Sequence, residues 1–274
     1  MSDLYCVFGN PIEHSKSPLI HAEFAQQTRQ MLEYTAKKAP RDDFANAWRD
    51  FVQHGGRGAN VTVPFKNDAY ALCDTLSKRA QRAKAVNTLI VGGNGLTYGD
   101  NTDGVGLIRD LKYHRVTLAD KRVLVVGAGG AVQGILEPLL AEQPGEVMVV
   151  NRTAEKADQL AEDFSDLGEL HGGGFKSAKG PFDVVINGSS ASLSGDLPPL
   201  PGNLFADGAW AYDMMYGADQ TVFLKWAGTH GARRLDGLGM LVEQAAEAFF
   251  LWRNVRPDTT QVRQTLRRML NAAH

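Results

Sequence analysis

The stretch from Lys121 to Gly134, KRVLVVGAGGAVQG, constrains the fold of this chain more than any other. An apolar run, Val123 to Val126, leads directly into glycines at 127, 129 and 130, and a helix-compatible segment follows. Strand, tight turn and helix N-terminus in that order make a βα unit. Gly127 permits the turn, Gly129 lets backbone approach a pyrophosphate closely, and the helix offers unpaired N–H groups with the positive end of its dipole. The stretch is built to hold a dinucleotide; the alternative is an ordinary βα turn. One position is off pattern, because Val132 stands where G-x-G-x-x-G has its third glycine, and Gly134 comes two residues later.

The next strand narrows the choice. Glu146 to Val150 reads as a buried parallel strand and ends at Asn151-Arg152-Thr153, about 20 residues on from the glycines, where a ribose-recognition group is expected. Positions 151 to 154 hold no Asp or Glu to accept from a ribose 2′-hydroxyl. Arg152, the Thr153 hydroxyl and Lys156 one turn on would instead face a 2′-phosphate, which a carboxylate would repel. The implied cofactor is NADP(H). The competing reading makes Arg152 and Lys156 solvated charges at a helix start, where a cation is mildly unfavourable against the dipole.

Bulk properties exclude several classes. A chain of 274 residues, 43% hydrophobic and 22% charged, can bury a sizeable core in one large or two ordinary α/β domains. The formal charge is −2 and the basic residues are scattered, so no nucleic-acid footprint is present. Cys6 and Cys73 form no CxxC, which argues against a disulfide framework or a zinc site, and they read as buried small hydrophobes. No metal is expected. The N-terminus lacks a basic, apolar leader and no apolar run approaches ~20 residues, so no membrane partner is implied and a cytoplasmic location is expected.

Taken in order, Leu4 to Phe8 is a short strand stopped by Gly9-Asn10-Pro11. Glu13-His14-Ser15-Lys16-Ser17-Pro18 then gathers two hydroxyls, a cation and a histidine ahead of a helix. Ser17-Pro18 suits an N-cap and N1 pair, whereas Ser15 has no such structural role, and the two hydroxyls beside Lys16 suit a carboxylate. Leu32 to Ala36 is a second strand, and Asp42 to His54 a helix with Phe44, Trp48, Phe51 and Val52 at helical spacing. Pro64 closes the β-branched strand Asn60-Val61-Thr62-Val63, leaving Lys66 at its C-terminal end, where open α/β sheets keep their ligands. A lone lysine there is ordinarily surface. Residues 85–91 and 96–100 read as a hairpin about Gly92-Gly93-Asn94-Gly95, and Asn101-Thr102-Asp103-Gly104 enters a helix that Thr102 or Asp103 could cap.

Beyond Thr153 the pattern continues with a helix over 154–164, a loop or weak strand at His171-Gly172-Gly173-Gly174, and a parallel strand from Phe182 to Ile186. That strand ends in the small polar turn Asn187-Gly188-Ser189-Ser190, and 194–204 is a surface loop. Ala209 to Met215 is another strand, carrying Met214 and Tyr216 to its end; a helix spans 221–229 and a short strand 233–235, before Gly237. Leu238 to Arg253 is a long helix in which Gln244 is polar in an apolar setting, and a last helix starts at Pro257-Asp258.

Seven motifs, GNPIEHSKSP (9–18), NVTVPFK (60–66), AVNT (85–88), NTDGVG (101–106), GAGGA (127–131), NRT (151–153) and GLGMLVEQA (237–245), resemble in order and spacing those of the shikimate dehydrogenases. That resemblance implies NADPH-dependent reduction of 3-dehydroshikimate to shikimate in aromatic amino-acid biosynthesis. It implies that Ser15 and Ser17 bind the substrate carboxylate, that Thr62, Asn87, Tyr216 and Gln244 meet the ring hydroxyls, and that Lys66 and Asp103 are the catalytic pair, Asp103 also touching substrate. Gly127, Ala128, Gly129, Gly130 and Ala131 would hold the cofactor with Asn151, Arg152, Thr153 and Lys156, while Met214 and Gly237 lie by the nicotinamide. Lys78 stands where similar proteins often carry an acid on the cofactor side, so that contact is not carried over, and Tyr216-Gly217-Ala218 lacks the usual proline.

The expectation is therefore two α/β domains: an N-terminal substrate domain, 1–103 completed by 238–274, and a Rossmann-like NADP-binding domain, 104–237. The active site would be the cleft where they meet, in a monomer or homodimer with a small-molecule substrate and no nucleic-acid partner. Three other readings are an enzyme of relaxed quinate or NAD use, a folate dehydrogenase type, whose pterin the SxS and NTDG motifs do not suit, and a non-catalytic NADP-binding module.

Overall fold

The computed structural model describes residues 2–189, 191 and 195–272. The chain divides into two compact units, one running to Gly106 and taking in Val242–Val262, the other holding Leu107–Leu241 and the chain from Arg263.

In the first unit the elements are β1 (Asp3–Gly9), α1 (Ser17–Thr28), β2 (Leu32–Lys38), α2 (Phe44–Gln53), β3 (Gly56–Val61), α3 (Lys66–Leu72), β4 (Thr75–Leu76), α4 (Lys78–Ala83), β5 (Thr88–Val91) and β6 (Thr97–Asp100). They form a six-stranded sheet in the order β2-β1-β3-β5-β6-β4. β1 is parallel to β2 and β3, and α1 and α2 are the crossovers that parallel pairing requires. The direction reverses at β5, which pairs antiparallel with β3 and, through the glycine hairpin, with β6. Phe44, Trp48 and Phe51 lie on one face of α2 and are buried; Phe8 meets Phe44 and Phe51 edge-on, and Phe44 stacks on Phe65 at 5.0 Å. Such ring pairs add about 0.5–1.5 kcal/mol each beyond area burial.

In the second unit α5 (Asp103–Tyr113) leads to β7 (Arg122–Val126), α6 (Gly130–Ala141), β8 (Glu146–Val150), α7 (Ala154–Asp163), β9 (Leu170–His171), β10 (Phe182–Asn187), β11 (Phe205–Asp213), α8 (Val222–Thr229) and β12 (Arg233–Asp236). α9 (Leu238–Arg253) and α10 (Thr260–Ala272) complete the chain, and the unit boundaries fall within α5 and α9 and just inside α10. The strand order β12-β11-β10-β7-β8-β9 is parallel throughout, which is the doubly wound 3-2-1-4-5-6 arrangement counted from β7. Val123 to Val126 are wholly buried, as continuous apolar strands covered on both faces should be. Val132 is buried as well, and a side chain at Gly188 would come within 2.5 Å of it. The space that a glycine at 132 would have left is therefore made instead by Gly188, at the end of the neighbouring strand.

Several expectations shift on inspection. α3 and α4, of seven and six residues, are too short for a helical period to show in sequence, and Lys66 opens α3 rather than following a strand as an isolated residue. β11 begins at Phe205 rather than Ala209 and stops at Asp213, and α10 begins at Thr260, whose N–H is taken by the Asp258 carboxylate at 2.9 Å. Ser190 and Ser194, which fall in the polar turn and surface loop read from sequence, lie outside the described residues. Cys6 is fully buried; Cys73 is half-buried with its thiol on the Ala69 carbonyl, and burial pushes that thiol up to about 12. Among the described residues no helix is long and apolar enough to cross a membrane.

Candidate active site

In the first unit Lys66 begins α3 and Asp103 begins α5, so two helix starts bring their side chains together. Lys66 Nζ donates to Asp103 Oδ2 at 2.5 Å, with the two side chains 26% and 14% exposed. The other carboxylate oxygen accepts from Asn87 Nδ2 at 2.8 Å. Asn87 Oδ1 in turn accepts the Thr102 N–H at 2.9 Å, and Asn87 Nδ2 and the Thr102 hydroxyl each lie 3.4 Å from Gln244 Oε1. Lys66, Asp103, Asn87 and Gln244, far apart in sequence, are thus one polar cluster. A charge-assisted contact such as Lys66–Asp103 is about twice as strong as a neutral one and holds the ammonium in a single place.

Thr102 belongs to this cluster although sequence reading offered it only as a helix cap; its hydroxyl is turned to Asn87 and Gln244. Arg79 was missed altogether. Its guanidinium grips Asp100 through Nε at 2.7 Å and Nη2 at 2.8 Å, while Asp100 accepts from Ser77 and from the Asn101 N–H. Asn101 Oδ1 then takes the N–H of Asp103 at 3.1 Å, so a part-buried ion pair shapes the loop that delivers the carboxylate. Lys78, beside Arg79, is the first residue of α4, whose N-cap Ser77 accepts from Ala80 N at 3.1 Å.

The serine pair is arranged the other way round from the local expectation. Lys16 occupies the N-cap of α1 with no side-chain cap, and Ser17 is its first residue. Ser15 has the structural role, because its hydroxyl accepts the Ser17 N–H at 3.3 Å. Ser17 is buried. Thr62 follows β3, its N–H bound to Phe8 O at 2.9 Å and its side chain half-exposed.

In the second unit β7 and β10 are neighbours at the place where the strand order reverses, the point at which doubly wound sheets take ligands. Gly127 has φ +110°, a conformation that favours glycine, and a Cβ there would press on Ser189 N at 3.2 Å. Gly129 is the N-cap of α6, and a Cβ at Gly129 or Gly130 would meet nothing within 4 Å, so the main chain borders open space at this turn. A cavity of about 620 Å³ lies over this turn, lined also by Asn151, Arg152, Thr153, Lys156 and Ser189. Arg152, Thr153 and Lys156 are exposed, and the Thr153 hydroxyl does not cap α7, which leaves two cations and a hydroxyl for a phosphate. Glycine turn, helix start and cations together fit a phosphorylated dinucleotide.

Farther along this sheet, Met214 N donates to Asn187 O at 2.9 Å and a Cβ at Gly237 would fall 2.1 Å from Met214 O, so only glycine allows that approach. Tyr216, beyond β11, is a member of the second unit; burial, followed by the Asp236 charge, raises its phenol above the ordinary value. Among the described residues no three His, Cys, Asp or Glu are grouped to hold a metal.

A doubly wound unit with a glycine turn, joined in one chain to a second α/β unit, is the architecture of a nucleotide-dependent oxidoreductase. Residues 7–89 match the shikimate dehydrogenase substrate binding domain, 110–193 the shikimate / quinate 5-dehydrogenase family and 237–267 the shikimate 5'-dehydrogenase C-terminal domain. The shikimate dehydrogenase (NADP(+)) of Chromohalobacter salexigens is 63% identical over 98% of this chain and 99% of its own. The crystal structure of an Ael1 enzyme from Pseudomonas putida superposes with TM-score 0.93 at 47% identity, covering 97% of this chain and 98% of that one. Shikimate 5-dehydrogenase from Thermus thermophilus, solved in complex with NADP(H) and shikimate, superposes with TM-score 0.88 at 32% identity over 98% and 100% of the two chains. This chain belongs to the shikimate dehydrogenase family.

Proposed function

We propose that the chain catalyses the reversible, NADPH-dependent reduction of 3-dehydroshikimate to shikimate, with Lys66 as proton donor and acceptor and Asp103 beside it. The observation that carries this reading is the 2.5 Å Lys66–Asp103 contact set within the Asn87–Thr102–Gln244 cluster. Bound NADPH supplies the hydride. Negative charge then grows on the substrate's carbonyl oxygen, and the Lys66 ammonium aimed at that oxygen stabilises it and donates the proton. In the reverse direction Lys66 takes the proton back. Asp103 holds the lysine and hydrogen-bonds a neighbouring ring hydroxyl. Ser15 and Ser17 receive the carboxylate, and Thr62, Asn87, Tyr216 and Gln244 meet the remaining ring hydroxyls.

On the cofactor side Gly127 to Ala131 cradle the pyrophosphate, Asn151, Arg152, Thr153 and Lys156 take the adenosine end with its 2′-phosphate, and Met214 and Gly237 border the nicotinamide. The test is absorbance at the nicotinamide band with purified protein and shikimate, offering NADP+ or NAD+, then quinate in place of shikimate. Strong NADP+ reduction with shikimate alone is the expected outcome. Equal activity with NAD+ would make Arg152 and Lys156 mere solvated charges, and activity on quinate would widen the substrate class.

A further inference from the structure

The C-terminal helix α10 belongs to the second unit from Arg263 onward, and one of its arginines reaches both segments to which the proposed function gives the nicotinamide and a ring hydroxyl. β11 and β12 end side by side, with Asp213 opposite Asp236 in register. From these ends the chain runs on as Met214-Met215-Tyr216-Gly217 in one case and as Gly237 in the other. The two continuations touch, because Gly237 N donates to Met215 O at 3.1 Å beside the close approach of Gly237 to Met214 O. The start of the first segment is held from within: Asp213, fully buried, accepts from the Thr221 hydroxyl at 2.6 Å and from Met215 N and Asn187 Nδ2 at 3.1 Å each. Its far end, past Tyr216, is held from α10. Arg267 Nη1 donates to Gly217 O at 3.1 Å, while Nη2 lies 2.6 Å from both oxygens of Asp236. Asp236 Oδ1 also accepts the Leu238 N–H at 3.3 Å, so the same carboxylate closes the turn around Gly237. Tyr216-Gly217-Ala218 has no proline to fix its backbone, and the bond to the Gly217 carbonyl supplies that restraint from outside.

We propose that Arg267 is a positioning residue: by bridging Asp236 and the Gly217 carbonyl it fixes the segment from Met214 to Gly217 against the Gly237 turn, and so sets where the nicotinamide and Tyr216 stand for hydride transfer. The role rests on the function proposed above. A guanidinium is planar, so its two terminal nitrogens keep carboxylate and carbonyl at a fixed separation, which a flexible ammonium cannot do. Misplacement of reacting groups by about 1 Å costs on the order of 100-fold in rate. Loss of Arg267 would also remove the guanidinium that balances Asp236, leaving its charge to repel the Asp213 carboxylate beside it in register.

The experiment compares the wild type with Arg267→Ala and, as a control on the same helix, Arg268→Ala, whose guanidinium donates to Thr265 at 3.3 Å. Backbone hydrogen exchange is read first, without ligands. Arg267→Ala is expected to speed exchange about tenfold in segments 214–218 and 236–238 while the strand from Val123 to Val126 exchanges as in the wild type. Single turnovers follow, with enzyme-bound NADPH mixed with saturating 3-dehydroshikimate and the nicotinamide absorbance recorded. The rate constant should fall about tenfold in Arg267→Ala, with the amplitude and the NADPH dissociation constant within about twofold, and Arg268→Ala should match the wild type. A merely structural role would lower the amplitude and speed exchange throughout the unit with the rate constant kept. That pattern, an unchanged rate constant, or an equal loss in Arg268→Ala would overturn the positioning role, while wild-type turnover left the proposed function intact. A wild type that does not reduce 3-dehydroshikimate would remove both. Should Arg267→Ala fail to fold, Arg267→Lys is read by the same criteria, since it keeps the charge beside Asp236 and lacks the planar pair of donors.

Discussion

The two units solve ligand recognition by opposite means. In the second unit the site is mostly main chain: a glycine turn at 127, the start of α6 and three exposed side chains after β8. In the first unit it is almost wholly side chain, a part-buried mesh of Asn87, Thr102, Asp103, Gln244 and Lys66 drawn from a loop, two helix starts and a distant helix. A cradle made of backbone tolerates side-chain change but not a change of backbone conformation. A mesh of side chains has the reverse sensitivity, because each member leaves partners unsatisfied when it goes.

The sharpest way to break this contrast is Lys66→Ala. It is expected to lower kcat by roughly two orders of magnitude or more with little change in substrate KM; a near-normal kcat would take Lys66 out of the chemistry. Next, Arg152→Ala combined with Lys156→Ala should raise the KM for NADP+ about 10- to 100-fold while NAD+ and shikimate are unaffected. A shift in shikimate KM of the same size would show that the two sites are not separable in this way. Gly127→Ala places a Cβ at φ +110° against Ser189 N and should cost about 1–3 kcal/mol of stability. Chemical denaturation would read that loss, and an unchanged midpoint would mean that the turn is less constrained than its geometry.

The smallest expected effect concerns His21, fully buried on α1 with its Nε2 3.1 Å from Asn60 Oδ1. Burial pushes it down to about 3 from 6.5, the Asn60 hydrogen bond opposing that shift in part. The unfolded chain therefore binds a proton that the folded one refuses, and stability present above 6.5 falls as pH drops through the window between 6.5 and about 3. Its contribution to the slope approaches about 1.4 kcal/mol per pH unit inside that window. His21→Gln should flatten the decline of Tm from pH 7 to pH 5; an identical decline would place the acid sensitivity elsewhere.

Local motifs were the legible part. VVGAGG announced a strand, a turn and a helix start because each step is a short-range demand on backbone geometry, and all three stand where the sequence places them. The buried face of α2 was equally plain from Phe44, Trp48 and Phe51. What could not be read was reciprocal assignment among polar residues. Ser17-Pro18 had every local mark of a cap, yet Ser17 is the first residue of α1 and its N–H is taken by Ser15. Arg79 carried no local signal, since its partner Asp100 is supplied by another element, and α3 and α4 were too brief for periodicity to register.

By itself, then, the sequence determined the βα rhythm of the second unit and its glycine turn, both set by contacts within a few residues. Tertiary structure alone decided which hydroxyl caps and which is left for other work, and that Asn60, Asn87 and Gln244 join one mesh, because a hydrogen bond between side chains depends on a distance of about 3 Å that only the packed strands can set.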